Sequence, residues 1–87
     1  MQVAVWDTYV TKQNGTIMNF DIIVPKEQKD EQLIRQFGRQ YLASKSLSTS
    51  DVVVNQCAFC HIEQASDKMV KSILETGYFI LELRNCN

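Results

Sequence analysis

Apolar and polar positions alternate along the first third of the chain. Residues 3–11 are rich in Val, Trp, Tyr and Thr. In 16–24, Thr16, Met18, Phe20, Ile22 and Val24 alternate with Ile17, Asn19, Asp21 and Ile23, and Asn14-Gly15 sits between the two runs. Period-two spacing turns one side of each strand toward a core, and Asn and Gly accept the positive φ of a tight turn. The segment therefore predicts a β-hairpin, ended by Pro25. From about Asp30 to Lys45 the spacing changes: Leu33, Ile34, Phe37, Tyr41 and Leu42 form the stripe of an amphipathic helix, with Gly38 beside it allowing close packing. Ser46 to Asp51 reads as a polar loop and Val52 to about Glu63 as extended chain. A second helix is signalled by Ser66 as N-cap, Asp67 in the first turn, the stripe Met69, Val70, Ile73, Leu74, and Gly77 as a left-handed C′ residue. Tyr78 to Leu83 completes a last strand. No repeat or low-complexity tract interrupts this order, so residues 1–87 are expected to form a single domain.

The expected fold is α+β, a ββαβαβ two-layer sandwich: a mixed sheet with an N-terminal hairpin and two helices packed mainly on one face, where right-handed crossovers would place them. On that arrangement Trp6, Thr8, Met18, Phe20, Ile22, Cys60, Ile62, Phe79 and Leu81 meet the helices. Alternation then aims Asp7, Tyr9, Asn19, Asp21, Cys57, Phe59, His61, Glu63, Tyr78 and Glu82 at an open face.

Composition narrows the classes. The 87 residues are 45% apolar with a formal charge of −1 and no run of Lys or Arg, which disfavours nucleic-acid and anionic-membrane partners. Apolar runs stop at three or four residues, far short of the ~18–20 that span a bilayer. The N-terminus lacks the basic and apolar regions of a secretory signal, so a cytoplasmic location is expected. Three cysteines in a reducing compartment argue against a disulfide scaffold and leave free thiols, metal ligands or redox groups.

Candidate chemistry centres on Cys57-Ala58-Phe59-Cys60-His61, the Cys-x-x-Cys-His pattern that attaches a c-type haem. Haem is disfavoured because no export signal precedes the motif and the segment reads as a strand. Zinc suits the ligand types, with Cys57, Cys60 and Cys86 as the set and His61 as a further candidate. On a regular strand, however, Cys57 and Cys60 point to opposite faces, and so do Cys60 and His61, so chelation needs a bulge or turn. A redox thiol would want Cys57 at a helix N-terminus, and the predicted helix begins only at Ser66. The plainer alternative makes Cys60 a small core hydrophobe and leaves Cys57 and Cys86 partly exposed. His61 and Glu63 share a strand face, near Asp7 or Asp21, and could form an acid–base pair. Cys57 and His61 on one face would lie about 13 Å apart, too far for proton transfer. No phosphate-binding glycine loop, His-Glu-x-x-His or dinucleotide fingerprint occurs, which weighs against an enzyme.

The stretches Val5-Trp6-Asp7-Thr8-Tyr9-Val10, Gly15 to Asp21, Cys57 to His61, Gly77-Tyr78-Phe79-Ile80 and the terminal Cys86 resemble a small bacterial family catalogued as domain of unknown function 2024. The likeness spans nearly the whole chain, and Ser46 to Gln56 follows no pattern of that family. It implies a compact α+β fold of hairpin, helix, strand, helix and strand, and it supplies no substrate, cofactor or catalytic residue. The functional expectation is therefore a non-enzymatic, cytoplasmic interaction or regulatory module without a cofactor. It would self-associate as a homo-oligomer, or bind an unidentified protein, through the open sheet face carrying Asp7, Tyr9, Asp21, His61 and Glu63. The alternatives are a small zinc protein and a thiol redox protein using Cys57 or Cys60.

Overall fold

A computed structural model describes residues 1–47 and 52–86; most of the expected Ser46–Asp51 loop, residues 48–51, lies outside the described residues. The elements are β1 (Gln2–Lys12), β2 (Ile17–Pro25), α1 (Glu31–Ser44), β3 (Val52–Gln64), α2 (Asp67–Thr76) and β4 (Phe79–Arg84). The ββαβαβ order and α+β class are those expected. The four strands lie in the order β3-β1-β2-β4.

Local chemistry accounts for the boundaries. In the hairpin, Gly15 N donates to Lys12 O at 2.9 Å and Lys12 N donates to Thr16 O at 2.8 Å, with Asn14 Oδ1 accepting from Thr16 N. This is a three-residue turn in which Gly15, at φ +86°, alone takes the left-handed conformation; Asn14 does not. The Asp30 carboxylate accepts from Gln32 N and Leu33 N at the start of α1. Ser66 accepts from Met69 N to start α2, and Gly77, at φ +93°, ends it by donating to Ile73 O. Gly38 brings α1 close to the sheet: a Cβ there would stand 3.1 Å from Ile22 Cδ1.

Three expectations require correction. Every strand ladder is antiparallel, so the sheet is not mixed. The helices lie on opposite faces, which makes three layers rather than two. Ile34, Phe37, Tyr41 and Leu42 of α1 pack on Trp6, Val10, Phe20 and Ile22, whereas Ile73 and Met69 of α2 pack on Val3, Val5, Ile23 and Phe79. The crossover rule constrains parallel connections, and α2 joins the antiparallel edge strands β3 and β4, so its face is set by what needs burying. Val3-Ala4-Val5-Trp6 and Ile22-Ile23-Val24 are apolar on both sides, and only cover on both faces removes both sides from water. Fully burying each Val or Ile side chain among them contributes about 1.5–3 kcal/mol.

The third correction concerns β3. Its register against β1 slips twice, leaving Asn55 and Cys60 as extra residues in β-bulges. Each slip inverts the parity, so Cys57 sits opposite Thr8 and is buried on the α1 side, and Cys60 is exposed. Cys57 and His61 therefore do not share a face. In β4, Phe79 lies opposite Ile23 under α2, while Glu82 lies opposite Phe20 and accepts a hydrogen bond from Tyr41 of α1. Tyr78 stacks on Phe37 rather than facing outward.

Candidate functional site

α2 is ten residues long and covers only the end of its sheet face that carries Val3, Val5 and Ile23. Past that cover the same face continues as Asp7 and Tyr9 on β1 and Asp21, Asn19 and Ile17 on β2. Asp7 and Asp21 are directly opposed across the two strands, as are Tyr9 and Asn19. Asn19 Nδ2 donates to Asp7 Oδ1 at 2.9 Å and to Thr8 O at 3.0 Å, which holds the Asp7 carboxylate in place. Leu81 of β4, opposite Asp21, and Ile17 at the far end leave exposed apolar surface beside the polar centre.

Like charges side by side on a half-buried surface disfavour ionisation. Burial, then the charge and hydrogen bond of Asp7, raise Asp21 from the ordinary 3.8 to about 6; His61 opposes the rise and Glu63 adds to it. On the neighbouring β3, His61 Nε2 meets Glu63 Oε1 at 2.8 Å, and His61 Nδ1 lies 3.2 Å from Cys60 Sγ. The five open-face candidates Asp7, Tyr9, Asp21, His61 and Glu63 thus share one sheet face, with His61 and Glu63 close enough to act on the charge of Asp21.

The metal set Cys57, Cys60, His61 and Cys86 is not brought together. Cys57 belongs to β3, while Cys86 follows β4 and donates to Asn19 O of β2 and to Arg84 O. Two strand spacings separate β3 from β2, about 10 Å. Among the described residues, no group of three or more His, Cys, Asp or Glu side chains is placed to hold a metal ion. The core role expected of Cys60 belongs to Cys57 and Cys86, 9% and 6% exposed.

Sequence reasoning missed the contact between Cys60 and His61, which exists because the bulge falls at Cys60. A bulge without glycine leaves no mark in the residue pattern. It also missed that Glu82 joins α1 to β4: hydrogen bonds from Tyr41 and Lys45 hold this carboxylate below its usual range, and burial together with Glu82 pushes the Tyr41 hydroxyl up. Chemically, the open half of the face can take up and release a proton near pH 6.

Among the described residues, no helix is long and apolar enough to cross a membrane. No curated protein matches the chain. Among solved structures, the NMR structure of protein NE1680 from Nitrosomonas europaea, a structural-genomics target, is 36% identical with a TM-score of 0.82, and the match covers 100% of each chain. The family model described as domain of unknown function (DUF2024) matches residues 1–83. Carrying that match over nearly its whole length, with a relative of the same fold, the chain belongs to the DUF2024 family.

Proposed function

We propose that this chain is a non-catalytic, cytoplasmic interaction module whose working surface is the open half of the α2-side sheet face. Its partner would present a cation, an ammonium or guanidinium side chain, to the Asp7–Asp21 pair. One observation carries the reading: folding opposes two carboxylates on a half-buried surface that α2 leaves open, at the cost of raising Asp21 to about 6. A partner's cation would favour ionisation of both groups and relieve that cost. A second copy of the chain is one source of the cation, since Arg35 and Arg39 are exposed on α1. Contact between the α1 surface of one copy and the sheet face of another would be head-to-tail.

The test is an NMR titration of the labelled chain with a short arginine-containing peptide at pH 7, run beside sedimentation over a wide concentration range. Shifts confined to Asp7, Tyr9, Asn19, Asp21 and His61, and lost in Asp21→Asn, are the expected result. Shifts scattered over the surface, or unchanged in that variant, would reject the site. Concentration-independent monomers would remove the second copy as partner and leave a different protein in that role.

One contact favours a second reading, thiol chemistry at Cys60. Cys60 Sγ, His61 Nδ1, His61 Nε2 and Glu63 Oε1 follow one another at 3.2 and 2.8 Å, the order of nucleophile, base and orienting carboxylate. On this reading, His61→Gln slows alkylation of Cys60 by iodoacetamide at pH 7. Equal rates in the two proteins would remove it.

A further inference from the structure

The other sheet face carries a separate feature where β3 extends beside the connection from β2 to α1. Trp6, the only tryptophan of the chain, is 7% exposed, and its Nε1 hydrogen finds no acceptor among the described residues. Leaving such a donor unpaired costs about 1–3 kcal/mol. The indole lines an open groove of about 460 Å³, together with Ala4, Phe59 and Ile62. That volume falls in the range of small-molecule sites, about 300–1,000 Å³.

The walls of the groove differ in chemistry. Phe59 and Ile62 are large apolar residues left 52% and 42% exposed, and the Phe59 ring meets Trp6 edge-on with centroids 6.0 Å apart. Across from them stand Lys26 and Lys29 on the connection, with Glu27 as the one acid between them. Among the described residues, Lys26 Nζ bonds the neutral Gln2 Oε1, at 3.0 Å, and neither ammonium forms an ion pair. Apolar surface, a buried indole whose donor is unpaired and two ammonium groups that form no ion pair among the described residues thus line one groove.

We propose that this groove binds a small carboxylic acid with an aromatic or aliphatic body. The body lies on Phe59 and Ile62, and the carboxylate takes hydrogen bonds from Trp6 Nε1 and from Lys26 or Lys29. A neutral apolar ligand would leave the indole donor unpaired, and a cationic one would face both lysines. Because Nε1 is shielded in the free protein, binding requires a side chain to move, and the half-exposed Phe59, edge-on to the Trp6 ring, is placed to do so. The proposal is independent of the open-face reading, since the groove lies on the opposite face of the sheet.

A single tryptophan gives a single indole N–H signal in a ¹H–¹⁵N spectrum, and that signal is the readout. The protein is titrated to about 10 mM with phenylacetate, octanoate and the matching neutral amides, a range that registers weak binding. The expected result is a saturable shift of the indole resonance with either acid, at least about tenfold tighter than with its amide, as charge-assisted hydrogen bonds require. Lys26→Gln combined with Lys29→Gln should weaken the acids by a similar factor and leave the amides unchanged; both lysines are outside the core, so the fold survives. An unmoved indole signal, equal binding of acid and amide, or a response only to peptides bearing a C-terminal carboxylate would overturn the proposal.

Discussion

Asp21 carries a pH dependence whose sign follows from its surroundings. Burial and the charge of Asp7 let the folded chain keep this proton to about pH 6, whereas the unfolded chain releases it near the ordinary 3.8. Between those values the folded state binds more protons, so this group's contribution to stability falls as pH rises from about 4 to 6 and is flat above. Solvent screens the half-exposed pair, which reduces the effect to about 1 kcal/mol from the roughly 3 kcal/mol of a buried one. The wild-type chain should therefore gain thermal stability between pH 7 and pH 5 through this group. Asp21→Asn should raise the melting temperature at pH 7 by about 4–8 °C and remove that part of the pH dependence. Melting curves of both proteins at the two pH values are the check, and identical curves would show that the pair stores no repulsion. The shared face of Asp7 and Asp21 was legible because β1 and β2 alternate regularly around the hairpin, and His61 and Glu63 keep a common face because both follow the bulge at Cys60. Cys57 and Cys60 were read the wrong way round because the two bulges of β3 invert its parity, and nothing in the sequence of β3 announces them.

Local signals specify the elements well. Asp30 and Ser66 cap the helix starts with side-chain oxygens, Gly77 ends α2, and the apolar stripe of α1 is the one buried. What local signals do not specify is the face each helix covers, because that depends on strand order, a property of distant pairings. The apolar runs at Val3–Trp6 and Ile22–Val24 were the available sign that both faces are covered at that end. Gly38 shows how two element-level effects compete. Alanine there gains about 1 kcal/mol of helix propensity, while its Cβ meets Ile22 Cδ1 at 3.1 Å. That methyl is the far end of a flexible side chain, and both residues line a cavity of about 100 Å³ that gives it somewhere to go. Gly38→Ala should therefore stabilise the chain by up to about 1 kcal/mol, whereas Gly38→Val should destabilise it by about 1–3 kcal/mol through overpacking. Urea midpoints of the two variants decide the point; destabilisation by alanine would mean that Ile22 cannot move.

Across the whole molecule the sheet is unequal from edge to edge. β1 and β2 are its centre, with α1 on one face and α2 on part of the other. β3 pairs with β1 along the full length from Gln2 to Lys12, whereas β4 pairs with β2 only from Asn19 to Ile23. Opening β4 thus breaks fewer ladder hydrogen bonds and uncovers less of the core, so it should be the lower-energy local opening. The cysteines report on both edges without further engineering: Cys57 is buried within β3, Cys86 is buried just past the end of β4, and Cys60 is exposed in the native fold. Short iodoacetamide pulses at increasing urea, with the modified peptides counted by mass spectrometry, should label Cys60 in the absence of urea. Cys86 should follow before the main unfolding transition, and Cys57 only together with it. Simultaneous labelling of Cys86 and Cys57 would show that the sheet opens as one cooperative unit. Labelling of Cys57 first would mean that the bulges make the long edge weaker than the short one, and that strand length does not set the order of opening in this fold.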